Sequence, residues 1–280
     1  MHDRPPSYGR VFLTFARNSL IRDMTFRGNF LLDSVASLSW VAMNLGFYVL
    51  IYRYTPAIGA GDAWGKYQFF VFLATTLFAN SIVQAFFMPN VEEFSELIRT
   101  GGLDFALLKP IDTQFLVSLR RMEWAGLGNF AFAGGLLVYA LVELYRREGF
   151  VPAPMAFVLY PLYLLCGVAI LYSVMITLAA TSIWLGRNQT LYDFWFYITN
   201  FSRYPMEIYQ GPFGTPLQWL FTFIVPVLVV VNVPARLLAW PLSAEQWPLA
   251  AFAVVATAVS LWASRWFFRL ALESYRSASS

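Results

Sequence analysis

The sequence predicts an all-α polytopic membrane protein with six transmembrane helices in one domain over residues 1–280. Hydrophobic residues make up 59% of the chain and charged residues only 12%, and the mean hydropathy is +0.57. A typical globular protein is about one-quarter charged, so two soluble domains of this length would need more polar surface. Several apolar runs also reach the roughly 20 residues that a helix needs to cross a bilayer.

Before the first apolar run, residues 8–26 are predicted to form an amphipathic helix in the membrane interface. At about 100° per residue, Arg10, Thr14 and Arg17 share one face, and Phe12 lies opposite them. The alternative is a disordered basic N-terminus.

Five spans are predicted directly from apolar runs of sufficient length. No internal repeat is evident, and no linker is long enough to separate two domains. The five runs cover residues 30–52, 67–87, 120–144, 154–185 and 246–270.

The positions of Arg and Lys in the flanks predict that both termini lie on the same, cytoplasmic side, because cytoplasmic loops are rich in these residues. The opposite side receives Arg53, Lys66, Arg146 and Arg147. The basic residues assigned to the cytoplasmic side are Arg4, Arg10, Arg17, Arg22, Arg27, Arg99, Lys109, Arg120, Arg121, Arg187, Arg265, Arg269 and Arg276.

Both termini on one side require an even number of crossings, so one more span must lie between the fourth run and the last. We predict this span at 189–204, followed by a segment at 205–240 that enters and leaves the membrane from the outer face. The alternative is a span at 217–238. Prolines throughout the region favour the broken hairpin, and irregular backbone at membrane depth requires cover from protein or water. These prolines are Pro205, Pro212, Pro216, Pro226, Pro234 and Pro241.

The loop after the second span is predicted to fold as two short helices at the inner face, which we call the inner knuckle (90–108). Gly101 or Gly102 can end the first helix in the left-handed conformation that glycine allows. Pro110 stops the second helix, and Asp112 or the threonine after it can cap the next one.

Charged and apolar side chains alternate along the inner knuckle, as expected of a surface that binds a groove on a soluble partner. The alternative is an ordinary loop that packs on its own bundle. The acids are Glu92, Glu93, Glu96 and Asp104, and the apolar residues are Phe94, Leu97, Leu103 and Leu107.

Two segments resemble motifs of the ABC-2 type permeases, the membrane subunits of bacterial ATP-binding-cassette exporters, and the resemblance covers nearly the whole chain. The stretch IRTGGLDFALLKPID is similar to the family's Ile-x-x-Gly-x-Leu-x-x-x-Leu-x-x-Pro signature, although the doubled glycine departs from it. Its matching positions are Ile98, Gly101 or Gly102, Leu103, Leu107 or Leu108, and Pro110. The segment at 205–240 resembles the family's proline-rich external segment at Pro205, Ile208, Tyr209, Pro226, Pro234 and Ala235.

The resemblance implies a type V exporter-like architecture in a bacterial plasma (inner) membrane. Residues 8–26 would be the elbow helix, 90–108 the coupling helix, and 205–240 the external re-entrant helices. Two such chains, identical or paralogous, would work with two ATPase subunits to move a hydrophobic or amphipathic substrate such as a lipid-like molecule, a glycolipid or a drug. The ATPase-docking residues would be Glu92, Glu93, Phe94, Glu96, Leu97, Arg99, Gly101, Leu103 and Asp104.

The sequence offers no catalytic site of its own. It lacks the Gly-x-x-x-x-Gly-Lys-Ser/Thr phosphate loop, so ATP and Mg²⁺ are expected on the partner ATPase, and no cofactor is expected in this chain. A single histidine, His2, and a single cysteine, Cys166, give no metal cluster or catalytic triad. The small net charge of +3 does not point to nucleic acid.

Polar residues inside the spans are candidates for a translocation path through the membrane. They could instead supply hydrogen bonds between helices, each contributing about 0.6–2 kcal/mol. The eight candidates are Asp33, Ser37, Asn44, Thr76, Asn80, Gln84, Asn200 and Arg203.

Two other functions compete with the exporter: a non-transporting membrane scaffold, and an ion-coupled carrier, which usually carries buried acids or inverted repeats.

Overall fold

The structure is a computed structural model that describes residues 7–25, 27–61, 63–185 and 189–275. Within these ranges the chain is almost wholly helical, as predicted. His2, Arg4, Phe26, Arg187 and Arg276, which entered the sequence analysis, lie outside the described residues.

The helices follow one another through short connections, and we number them in chain order. They are α1 (Tyr8–Thr25), α2 (Arg27–Ile51), α3 (Lys66–Phe86), α4 (Met88–Arg99), α5 (Gly102–Leu107), α6 (Thr113–Leu119), α7 (Leu127–Glu148), α8 (Pro154–Ala180), α9 (Ser182–Leu185), α10 (Gln189–Asn200), α11 (Gly214–Trp219), α12 (Val227–Ala239) and α13 (Trp247–Glu273). A two-stranded antiparallel ribbon, which the sequence did not predict, joins β1 (Ala57–Ile58) to β2 (Trp64–Gly65) between α2 and α3.

Local signals in the sequence account for several helix ends. Pro89, Pro154 and Pro248 lie in the first turns of α4, α8 and α13, where a missing backbone N–H leaves no hydrogen bond unmade. Gly149 ends α7 in the left-handed conformation at φ 65°.

Among the described residues, five helical segments are long and apolar enough to cross a membrane. They are Phe30–Ile51, Lys66–Arg99, Trp124–Glu148, Pro154–Leu185 and Ala244–Glu273. Each segment overlaps one of the five directly predicted spans, and the second continues past its predicted end at residue 87 through α4. The third begins later than the predicted residue 120, because residues 121–123 form an irregular connection before a 3-10 turn at Trp124–Gly126.

The sixth crossing remains a prediction. The helix α10 within the predicted 189–204 span has 12 residues and continues only as a 3-10 turn, Phe201–Arg203. Twelve helical residues extend about 18 Å, which is less than the hydrocarbon core of about 30 Å. The helices Gly214–Ile224 and Val227–Ala239 form a pair that is apolar enough to cross but is bent by 87° at the break.

The bent pair breaks at Pro226, one of the prolines that predict a broken hairpin at 205–240, and the entry and exit of this hairpin on one face of the membrane stays a prediction. Its second helix, α12, lies in the centre of the protein, and every residue of it except Arg236 is buried. Asn232 is fully buried, and its Oδ1 accepts a hydrogen bond from the backbone N of Met206 at 3.0 Å. The protein therefore covers this irregular segment, as membrane depth requires.

The core consists of α3, α8 and α12, with α2, α7 and α13 around them. The Lys66–Arg99 segment is 72% buried over its most apolar stretch, whereas Phe30–Ile51 is only 11% buried. Close approach of α8 to α12 depends on Gly167, because a Cβ added there would lie 2.6 Å from the backbone O of Val230. The peripheral helices present their apolar side chains outward, as expected for contact with lipid or another membrane chain.

This close approach leads to a testable prediction. Gly167→Ala should lower the thermal unfolding temperature of the purified protein, because overpacking against backbone typically costs about 1–3 kcal/mol. The matched control is Gly135→Ala on α7, where an added Cβ meets nothing within 4 Å. Equal unfolding temperatures for the two variants would contradict the α8–α12 contact.

A buried carboxylate joins the broken hairpin to the ribbon between α2 and α3. Glu207 is 5% exposed, accepts a hydrogen bond from Trp64 Nε1 at 2.5 Å and pairs with Arg236 of α12. Gly59, at φ 99°, passes so close that an added Cβ would lie 2.8 Å from Glu207 Cβ. These contacts fix the end of the bundle opposite the inner knuckle.

Candidate functional site

The inner knuckle is a pair of short helices, α4 and α5, as the sequence predicts. Gly101 separates them at φ 73°, in the left-handed conformation expected of one of the two glycines. Gly102 contributes close packing instead, because an added Cβ would lie 2.9 Å from Leu97 Cδ2. Asp112 caps α6 by accepting a hydrogen bond from Phe115 N at 2.9 Å.

Two residues expected at the docking surface face the interior of the protein. Phe94 is 1% exposed and its ring lies 6.0 Å from that of Phe268 on α13, while Leu103 is fully buried. In this structure neither side chain is exposed to a partner, and their role in docking stays a prediction. They hold the inner knuckle against its own bundle, because an apolar side chain at the inward face of a short helix gains more from the nearby core.

The exposed side of the inner knuckle carries other apolar residues. Phe105 is 73% exposed and Leu108 is 82% exposed, and Leu107 beside them is 41% exposed. The sequence analysis missed Phe105 and Leu108 as contact residues, although their spacing of three places them on one face of α5, opposite Leu103. We call these three residues the apolar tip.

The inner knuckle also carries charged residues. Glu92, Glu96 and Arg99 are exposed, whereas Glu93, Leu97, Gly101 and Asp104 are half-buried. Arg99 Nε donates to Glu96 Oε2 at 2.8 Å, and this hydrogen bond lowers the pKa of Glu96. The surface of the inner knuckle thus presents both apolar and charged side chains, as protein interfaces do.

One connection attaches the inner knuckle to the segment before α7. The buried Asn90 side chain accepts from the backbone N of Arg121 and donates to the backbone O of the same residue, both at 2.7 Å. Glu93 pairs with the Arg121 guanidinium at 3.1 Å. The amphipathic helix α1 holds the next residues, since Asp23 Oδ2 accepts from Trp124 N at 3.0 Å.

A second connection, which we call the Asp112–Arg265 latch, joins the start of α6, just after the inner knuckle, to α13. Arg265 donates to both Asp112 carboxylate oxygens and to Gln114 Oε1, the last at 3.0 Å. Burial opposes ionisation of Asp112, but the hydrogen bonds from Arg265 and from the Phe115 amide outweigh it and lower the pKa of Asp112. Tyr172 of α8 completes the cluster by accepting from Gln114 Nε2 at 3.0 Å.

A separate polar groove runs between α2 and α3 inside the bundle, with a volume of about 140 Å³. Six of the eight candidate path residues line it: Ser37, Asn44, Thr76, Asn80, Gln84 and Arg203. Asp33, which is exposed, and Asn200 do not line the groove. The helical spacing of the polar residues, which places them on one face of each helix, therefore predicted that most of these side chains lie together.

The sequence analysis missed Asn129 of α7, which lies at the end of the polar groove near Ser37. Its Nδ2 donates a hydrogen bond to Ser37 Oγ. A lone asparagine near the start of an apolar helix carries no periodic signal, so only the packing of α7 against α2 identifies it. Trp40 and Tyr48 add aromatic faces to the same groove.

The sequence of the chain matches the model of a known protein family. The family model described as "ABC-2 family transporter protein" matches residues 38–279, which is most of the chain. No curated protein and no solved structure matches the chain.

Proposed function

The chain belongs to the ABC-2 family of transporter proteins, and we propose that it is the permease subunit of an exporter driven by a separate ATP-binding-cassette ATPase. A membrane component of this family generally carries no catalysis of its own, and its several apolar helices make the chain a multi-pass membrane protein. We further propose the direction of transport, which is export, together with the substrate class, the number of partner chains and a location in the bacterial plasma membrane.

The observation that carries the proposal is the apolar tip on a firmly attached inner knuckle. Phe105 and Leu108 are among the more exposed large apolar side chains of the described residues, and the same knuckle exposes the ion pair of Glu96 and Arg99. Buried apolar anchors usually supply most of the affinity of an interface, and charged rim residues mainly tune association. A soluble ATPase with an apolar groove would suit this surface.

Coupling requires that the two nucleotide states of the ATPase make different contacts with the inner knuckle. Asn90 attaches the knuckle to the segment before α7, and the Asp112–Arg265 latch attaches the start of α6, which follows the knuckle, to α13. A shift of the inner knuckle would therefore move the peripheral helices relative to the core. Phe94 against Phe268 adds an apolar contact to the same route.

The polar groove between α2 and α3 is the proposed translocation path for an amphipathic substrate. A polar strip beside an apolar outer surface suits a molecule with a polar headgroup and an apolar tail. The peripheral helix α2 exposes Leu32, Met43 and Phe47, so a second permease chain, identical or paralogous, would enlarge the enclosed space. Two permease chains would then bind two ATPase chains.

The proposal requires that the inner knuckle is cytoplasmic, and cysteine labelling in intact cells tests this. With Cys166→Ser as background, Thr100→Cys should resist a membrane-impermeant maleimide, whereas Arg146→Cys should react. Both positions are exposed in the structure, so accessibility within the protein does not bias the comparison. The opposite labelling pattern would contradict both the orientation and the docking surface.

Co-purification tests the proposed function itself. The affinity-tagged chain is expressed with each ATP-binding-cassette ATPase encoded in its source genome, and the bound protein is identified by mass spectrometry. We expect one ATPase to be retained in a ratio of one to each permease chain. If none of them is retained by the correctly inserted chain, a scaffold or carrier function replaces the permease.

A further inference from the structure

The polar groove contains a cation, Arg203, at its end near Tyr48. Among the side chains that the structure describes, which do not include that of Asp193, no carboxylate is paired with this half-buried guanidinium. The Arg203 guanidinium carbon lies 5.1 Å from the centre of the Phe196 ring. Tyr48 and Tyr204 are close enough to interact with the charge of this guanidinium. A charge taken out of water without a counter-ion is unfavourable, so an anion in the groove would be stabilised there.

The other end of the polar groove contains an unpartnered acceptor. Asn129 is 9% exposed and its Nδ2 donates to Ser37, but its Oδ1 has no hydrogen-bond partner within the part of the chain that the structure describes. Buried polar atoms are almost always paired. An unpaired oxygen that lines a groove therefore points to a donor, such as a hydroxyl group, supplied by whatever occupies it.

The dimensions of the groove limit what can bind. Its α3 wall extends from Leu73 to Gln84, which corresponds to about 16 Å along a helix. Its volume of about 140 Å³ gives room for a polar headgroup. An alkyl chain attached to that headgroup could lie against the exposed apolar face of α2.

We propose that the polar groove binds the anionic headgroup of an amphiphile, with its phosphate or carboxylate oxygens on Arg203. Thr76, Asn80 and Asn44 form a neutral polar strip along which the headgroup is held, and Asn129 accepts a hydrogen bond from a hydroxyl at the far end. This inference rests on the proposed transport function, because it names the class of substrate for the same groove.

Photolabelling of the full chain in phosphatidylcholine nanodiscs tests the proposal. The probe is dodecyl phosphate that carries a diazirine on its alkyl chain, and the labelled peptides are mapped by mass spectrometry. We expect labels on α2 and α3, displaced by unlabelled dodecyl phosphate but not by dodecyltrimethylammonium or inorganic phosphate. Arg203→Gln should reduce specific labelling about tenfold, because a hydrogen bond to a charged group contributes about 1.5–3 kcal/mol.

Three variants keep the test specific. Arg203→Lys should retain part of the labelling, since it keeps the charge but loses the forked geometry. Asn80→Asp should lower labelling by repulsion of the anion, and it gives a second result if Arg203→Gln does not fold. Arg53→Gln removes the same charge from an exposed position and should label as the unaltered chain does.

The proposal would be overturned if α2 and α3 were labelled equally in the unaltered chain and in the Arg203→Gln and Asn80→Asp variants. Stronger displacement by dodecyltrimethylammonium would overturn the choice of an anion, and full displacement by inorganic phosphate would overturn the choice of an amphiphile. The experiment contains no ATPase, so its failure leaves the permease assignment intact. Conversely, failure to retain an ATPase would not alter an Arg203-dependent labelling result.

Discussion

Replacing both Phe105 and Leu108 with aspartate is expected to abolish retention of the ATPase while the permease still folds and inserts. The two side chains are 73% and 82% exposed, so they contribute little to the bundle. In a docked complex they would be the apolar anchors, and truncation of such an anchor costs about 2 kcal/mol or more. New carboxylates would also be buried without partners. We therefore expect affinity to fall by about a hundredfold or more.

The measurement is the amount of ATPase retained per permease chain, determined by quantitative mass spectrometry after affinity purification. The matched control is Phe213→Asp, an 89% exposed phenylalanine in the segment at 205–240. It should retain the ATPase normally. Unchanged retention by the Phe105/Leu108 double variant would show that the partner docks elsewhere.

Phe94→Ala separates a structural role from a docking role in the same helix pair. Because Phe94 is buried against Phe268, its truncation should destabilise the permease by about 3–5 kcal/mol. Retention of the ATPase per folded permease should change little. A loss of retention without a loss of stability would restore the original expectation that Phe94 contacts the partner.

Breaking the Asp112–Arg265 latch is expected to uncouple the two subunits without separating them. Arg265→Gln removes the donors to Asp112 and leaves the apolar tip untouched. The pair is only partly buried, so its hydrogen bonds contribute about 1–3 kcal/mol. Since α13 would no longer follow the inner knuckle, substrate-stimulated ATP hydrolysis of the reconstituted complex should fall about tenfold, while ATPase retention stays normal.

A double-mutant cycle distinguishes the latch from a general effect of charge. Asp112→Asn keeps a cap for α6 but loses the ion pair, so its effect and that of Arg265→Gln should not add. Arg120→Gln removes the same charge from an exposed position at the end of α6, so it is the control and should leave stimulation unchanged. Additive losses in the cycle would contradict the latch as the route of coupling.

The parts of the fold that local chemistry determines were predictable from the sequence. Apolar runs marked the five long spans, and the glycine pair and Asp112 marked the end of α4 and the cap of α6. The stripe of polar residues on α2 and α3 predicted a shared groove because both helices are regular over that length.

Features that depend on distant packing were not predictable. The inward direction of Phe94 depends on Phe268, and the latch depends on Arg265, both far away in the sequence on α13. The carboxylate of Glu207 finds Trp64 and Arg236 only after the broken hairpin has folded against the ribbon. No periodic pattern in one helix reports such contacts.

Site-specific crosslinking tests most directly the central claim that a separate ATPase drives this permease through the inner knuckle. The photo-crosslinking amino acid p-benzoylphenylalanine replaces Leu108 in the co-expressed complex, and, in a parallel sample, Phe213. Irradiation should join the permease to the ATPase from position 108 and not from position 213. An intact complex that crosslinks from position 213, or from neither position, would contradict the account.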